Sequence, residues 1–152
     1  MEFLSGLHPR IIHFPIAFFV LYFIFETVGA TLKKEAFTKT AFFILALGVI
    51  TAILSVLTGN QAHETAKNFL VEGEAYFNQL IKQHENFATL SLWYFTILFF
   101  IRMYLVIKKN LSIKVQYLFV FFSLLGCVLI LLTGYYGGVL VFEHGIGTKL
   151  FK

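Results

Sequence analysis

The sequence predicts an all-α integral membrane protein: a four-helix up-down bundle with a short interfacial amphipathic segment in the loop between the second and third spans. Composition is the first observation behind this. Of 152 residues, 59% are hydrophobic and 13% charged, with a mean hydropathy of +0.82, which lies outside the soluble range. The second is four continuous apolar runs, roughly 11–32, 40–62, 86–107 and 115–142. At about 1.5 Å per residue each can cross about 30 Å of hydrocarbon as a helix, and none alternates as a spanning strand would. The third is charge placement. LKKEAFTK and IKKNLSIK hold six lysines (Lys33, Lys34, Lys39, Lys108, Lys109, Lys114) against the single acid Glu35, so both short loops are expected to be cytoplasmic. Residues 1–152 then form one four-span domain, with both termini and the long middle loop expected on the outer side.

The first run follows HPRIIHFP. Only Arg10 precedes it and no A-x-A-like site follows, so it is expected to stay as a span rather than act as a secretory signal. Pro9 suits the first turn of a helix, while Pro15 has no N–H for the Ile11 carbonyl and should loosen that turn. His8 and His13 are five residues apart, about 140° around a helix; the expectation is that His13 aims inward and His8 stays nearer the surface. The second run carries a stripe of small residues, Gly48, Ala52, Ser55, Gly59 and Ala62. The fourth carries Ser123, Gly126 or Cys127, Gly134 and Gly137. Between the second and third runs, Phe69, Leu70, Tyr76, Phe77, Leu80 and Ile81 fall three and four apart around Gly73, the pattern of a broken amphipathic helix at the interface. Glu26 and Arg102 sit inside the first and third spans at nearly equal depth. They are expected to pair or face the interior, because an isolated charge there is costly.

On this topology all five histidines, His8, His13, His63, His84 and His144, lie toward the outer face. Interfacial histidines can simply be solvated, and small stripes in membrane helices usually mean close packing. A haem accounts for both features together: imidazoles ligate the iron, and small residues let a flat macrocycle lie against the backbone. Arg10, Lys67 and Lys82 lie on the same side and could meet propionates. A bare copper, zinc or iron ion held by imidazoles with Glu64, Glu85 or Glu143 is the competing reading. The chain has no H-x-x-x-H, C-x-x-C or E-x-x-H, which disfavours ferritin-like ligation. Cys127 is the sole cysteine, so no internal disulfide forms. No Asp occurs anywhere, and neither a nucleophile-and-base arrangement nor a phosphate loop is visible, which argues against hydrolase or transferase chemistry. The net charge of +4 gathers in the lysine loops rather than on a soluble basic face, so nucleic acid is not an expected partner.

HPRIIHFPIA, TGNQAHE, QHENFATL and GYYGGVLVFEHGIGT resemble the bacterial membrane family named domain of unknown function 2231, over nearly the whole chain. Its end motifs are H-P-x-x-x-H-F-P-I and G-x-x-G-G-x-L-V-[YF]-x-H-G-[VI]-G. The resemblance implies a four-span domain whose relatives stand beside or are fused to c-type cytochrome or Rieske-like modules. It also places His8, His13, His84 and His144 on recurrent positions, with His63 less general. The expectation is therefore a small b-type cytochrome that binds one or two haems and passes electrons between membrane quinol and an external c-type cytochrome or Rieske-like protein. The ligand candidates, in order, are His13, His84, His144, His63 and His8. The alternatives are a non-haem copper or iron protein and a structural accessory subunit of a redox complex. Homodimerisation and membership of a larger complex both stay open.

Overall fold

The structure, a computed structural model, describes residues 2–67, 75–143 and 145. Five helices follow one another: α1 (Glu2–Ile11), α2 (His13–Leu32), α3 (Glu35–Lys67), α4 (Ala75–Ile107) and α5 (Ile113–Phe142). Hydrocarbon offers no partner for backbone N–H and C=O, so apolar runs of this length satisfy them internally as helices. Among the described residues four stretches are long and apolar enough to span: Ser5–Leu32, Glu35–Glu64, Asn78–Ile107 and Ile113–Phe142. The first joins α1 and α2. These two part at Ile12, three residues before Pro15, where the missing proline N–H weakens the first turn. Pro9 lies within α1 rather than at its start, because the helix already begins at Glu2.

α2 packs on α3 and α5, α4 packs on the same two helices, and α1 packs on α3. The spans therefore go round the bundle in chain order, and the first and third face each other across its axis. The two short connections cap alike. Lys33 and Lys109 each take a left-handed φ of 53°, and the N–H groups of Lys34 and Asn110 return to the Gly29 and Leu105 carbonyls, the Schellman closure that ends a helix cleanly. We call this the lysine end and the opposite one the histidine end. The segment expected to lie on the interface instead lengthens α3 and α4 where it is described. Leu80 and Ile81 are buried against Leu140, while Phe69 and Leu70 lie outside the described residues.

Phe19 and Phe95 stack across the axis, with ring centroids 3.7 Å apart and planes 4° from parallel. They fit because Gly48 and Gly126 lie beside them. A Cβ on Gly48 would come within 2.6 Å of Phe19, and one on Gly126 within 2.4 Å of Phe95. This pairing belongs to a repeat. The first span reads H-x10-F-x6-E (His8, Phe19, Glu26) and the third reads H-x10-F-x6-R (His84, Phe95, Arg102). The second and fourth each carry G-x10-G (Gly48 and Gly59, Gly126 and Gly137). Eleven residues make three helical turns with about 20° to spare, so each set lies along one face. The bundle is thus two similar hairpins, α1/α2 with α3 and α4 with α5, facing each other around a common axis.

Candidate functional site

At the histidine end the repeat brings two imidazoles together across the axis. The His8 and His84 ring centroids are 6.4 Å apart, and the ring planes cross at 77°. Each ring lies over a glycine of the second helix in its own hairpin. A Cβ on Gly59 would stand 3.0 Å from His8 Cε1, and one on Gly137 would stand 3.0 Å from His84 Cε1. These glycines make room for the rings of neighbouring helices rather than for a histidine on their own helix.

The hydrogen bonds assign the tautomers. His84 Nδ1 lies 3.1 Å from the Thr133 carbonyl oxygen, which can only accept, so Nδ1 carries the proton. His8 Nδ1 lies 3.2 Å from Thr58 Oγ1. That hydroxyl gives its one hydrogen to the helix, toward the Leu54 carbonyl at 2.9 Å, so it accepts from His8. In a neutral imidazole with a protonated Nδ1, Nε2 keeps its lone pair. This is how metal-binding histidines are held: one nitrogen is anchored to a backbone or side-chain oxygen and the other is left for the metal. His8 and His84 would be the residues that could hold a metal-centred group at this end.

The other histidine candidates are placed differently. His13 is exposed and does not join the pair, which reverses the expected orientation of the opening motif. The buried face of the first span runs through Pro15, Phe19, Tyr22 and Glu26. Multiples of about 100° per residue put His8 on that face and His13 well off it. His63 turns to Glu85, its Nδ1 lying 2.5 Å from Oε1, and closes α3 against α4 beyond the pair. His144 lies outside the described residues. Among the described residues no group of three or more His, Cys, Asp or Glu side chains could hold a metal ion. Arg10 and Lys82 are exposed at this end. Sequence reasoning missed Thr58 and Thr133 as anchors of the rings, although the shared eleven-residue spacing would have revealed the faces on which they lie.

Deeper in the bundle the expected charge pair is present. Arg102 Nη2 lies 2.8 Å from Glu26 Oε2, with both side chains fully buried. Arg102 Nη2 also donates to the Thr38 carbonyl at 3.4 Å, and the guanidinium lies 4.8 Å from the centre of the Phe119 ring. Leaving a buried polar atom unmatched costs about 1–3 kcal/mol, so the pairing of these two groups matters to the fold.

Four apolar spanning helices around a polar, histidine-bearing axis define a multi-pass membrane helical bundle. The family model described as a predicted membrane protein, DUF2231, matches residues 5–150, and the chain belongs to that family. Neither the curated proteins nor the solved structures include a significant match.

Proposed function

We propose that this protein is a small membrane b-type cytochrome holding one haem between His8 and His84. The observation that carries the reading is the pair of opposed imidazoles, each with Nδ1 anchored and Nε2 left as the ligating nitrogen. His8 and His84 would be the two residues that hold the haem iron, whereas a bare ion would want three or four donors. Gly59 and Gly137 supply the close approach, and Arg10 and Lys82 are cations within the same end for propionates. One haem fits better than two, because the Phe19 and Phe95 stack and the Glu26–Arg102 pair fill the lysine-end half of the axis.

The chemistry the haem supplies is reversible one-electron transfer. The protein's own part is to fix the two imidazoles, shut water out with the surrounding apolar helices, and hold the iron near one membrane face. By the positive-inside rule the lysine end lies in the cytoplasm of a bacterial cell and the histidine end faces the periplasm. Electrons would then pass between membrane quinol and an external redox protein such as a c-type cytochrome or Rieske-like protein.

The test is a reduced-minus-oxidised spectrum of the detergent-purified protein, with its pyridine haemochrome. A b-type α-band is expected, lost in His8→Ala and in His84→Ala and kept in His13→Ala. Protein that carries no porphyrin, or a band that survives both axial replacements, overturns the reading.

A further inference from the structure

The repeat gives the bundle a lateral groove on each side, and the two are not alike. One lies between α2 and α5, bounded by Ile16, Val20 and Phe23 on the first helix and by Cys127, Gly134 and Tyr135 on the other, with a volume of about 450 Å³. The other lies between α4 and α3, bounded by Leu92, Trp93, Thr96 and Ile53, with about 180 Å³. By the repeat that matches His8 with His84 and Phe19 with Phe95, Ile16 and Val20 correspond to Leu92 and Thr96. The grooves therefore occupy equivalent places. Ligand pockets typically hold about 300–1,000 Å³, a size that the α2/α5 groove reaches and its counterpart does not.

The difference comes from residues that depart from the repeat. Where the smaller groove has Trp93 and Val56, the larger has Ala17 and Gly134. A Cβ on Gly134 would meet nothing within 4 Å, so bare backbone faces open space there. Two further departures bring polar groups to the same groove. Tyr135 stands where the counterpart has Leu57 and is 64% exposed. His13 stands where the counterpart has Thr89, three and seven residues before Ile16 and Val20. That spacing puts it on their face of α2, one turn nearer the histidine end. His13 is exposed and free of the His8 and His84 pair.

The chemistry of this wall defines the guest. A phenol O–H and an imidazole N–H can each donate to a carbonyl oxygen, whereas the deeper wall at Val20 and Phe23 is apolar. Val20 and Leu131 of the lining are exposed, so a guest enters sideways from the bilayer. Among the described residues the lining includes no lysine or arginine, which disfavours the anionic head of a phospholipid. A bare acyl chain would leave Tyr135 and His13 unused. A flat ring with carbonyl or hydroxyl oxygens and a hydrocarbon tail uses both parts of the wall.

We propose that the α2/α5 groove is a binding site for a membrane quinone and its quinol, with the ring toward His13 and Tyr135 and the tail running past Val20 and Phe23. Gly134, which opens the groove, is one turn from Gly137, which receives the His84 ring, so the guest lies beside the histidine pair. A role for the quinol as electron donor rests on the electron-transfer reading above; its binding does not.

Photolabelling tests the site. The full-length protein in phosphatidylcholine nanodiscs, with and without haem, is irradiated with a short-tailed azido-ubiquinone, and the labelled peptides are mapped by mass spectrometry. Label is expected on α2 and α5 and is expected to be competed by decylubiquinone. Gly134→Leu, which fills the groove, should abolish the competed label. His13→Ala should raise the decylubiquinone concentration for half-competition about two- to tenfold, the worth of one hydrogen bond, with any haem band unchanged; this variant decides the matter if Gly134→Leu does not fold. The inference is overturned by label on α3 and α4 instead, by label that is not competed because phospholipid or a second chain fills the groove, or by labelling of both variants as in the wild type. Competed labelling of a protein that carries no porphyrin keeps the site and overturns the haem reading, whereas a haem band that depends on His8 and His84 without competed label does the reverse.

Discussion

The two halves of the bundle axis are built from the same repeat and filled in opposite ways. At the histidine end the equivalent positions carry the same residue, His8 and His84, each with a glycine alongside and an oxygen on Nδ1. At the lysine end they carry opposite charges, Glu26 and Arg102, in direct contact. Two imidazoles anchored through Nδ1 and brought close together suit a shared third party, as proposed above. Two opposite charges attract each other across the axis and tie the two hairpins together. The Phe19 and Phe95 stack separates the two regimes, so one scaffold holds a candidate ligand site and a structural clamp a few turns apart.

Breaking the clamp should have the largest effect on stability. Arg102→Met leaves Glu26 buried without its partner and should cost about 3–5 kcal/mol, whereas the Glu26→Met and Arg102→Met double variant should recover most of that. Thermal unfolding in detergent reads both. The separating layer comes next. Gly126→Ala places a methyl 2.4 Å from the Phe95 ring, an overpacking that should cost about 1–3 kcal/mol. Gly134→Ala meets nothing within 4 Å and should be neutral or stabilising by up to about 1 kcal/mol in the same melts.

Changes at the histidine end should spare the fold and alter the site. Gly137→Ala pushes on the His84 ring at 3.0 Å; it is expected to lower haem occupancy per chain while the melting temperature changes little. Thr58→Val keeps the side-chain shape and removes the acceptor of the His8 Nδ1–H. Loss of such an outer partner typically weakens metal binding by about tenfold or more, and a haem titration of the apoprotein measures it.

Much of this architecture was legible in the sequence. Run length and hydropathy located four spans, the lysine loops paired them into hairpins, and equal depth predicted that Glu26 meets Arg102. These signals are local or depend only on depth along the membrane. Rotation about a helix axis is a different quantity. It decided that His8 rather than His13 faces inward, because His8 shares the face of Phe19 and Glu26 and His13 does not. The small residues read as stripes that a macrocycle could lie against, but Gly59 instead accommodates the His8 ring of a neighbouring helix. The bounds of α3 and α4 also exceeded the apolar runs, because Leu80 and Ile81 found burial against Leu140 where the sequence alone suggested a segment lying on the interface.

Electron paramagnetic resonance of the oxidised, detergent-purified protein tests the pairing of His8 with His84 most directly. If His8 and His84 both hold the haem iron, a low-spin ferric signal is expected, converted to high spin in His8→Ala and in His84→Ala. A high-spin signal in the wild type, or a low-spin signal unchanged by both replacements, would contradict it.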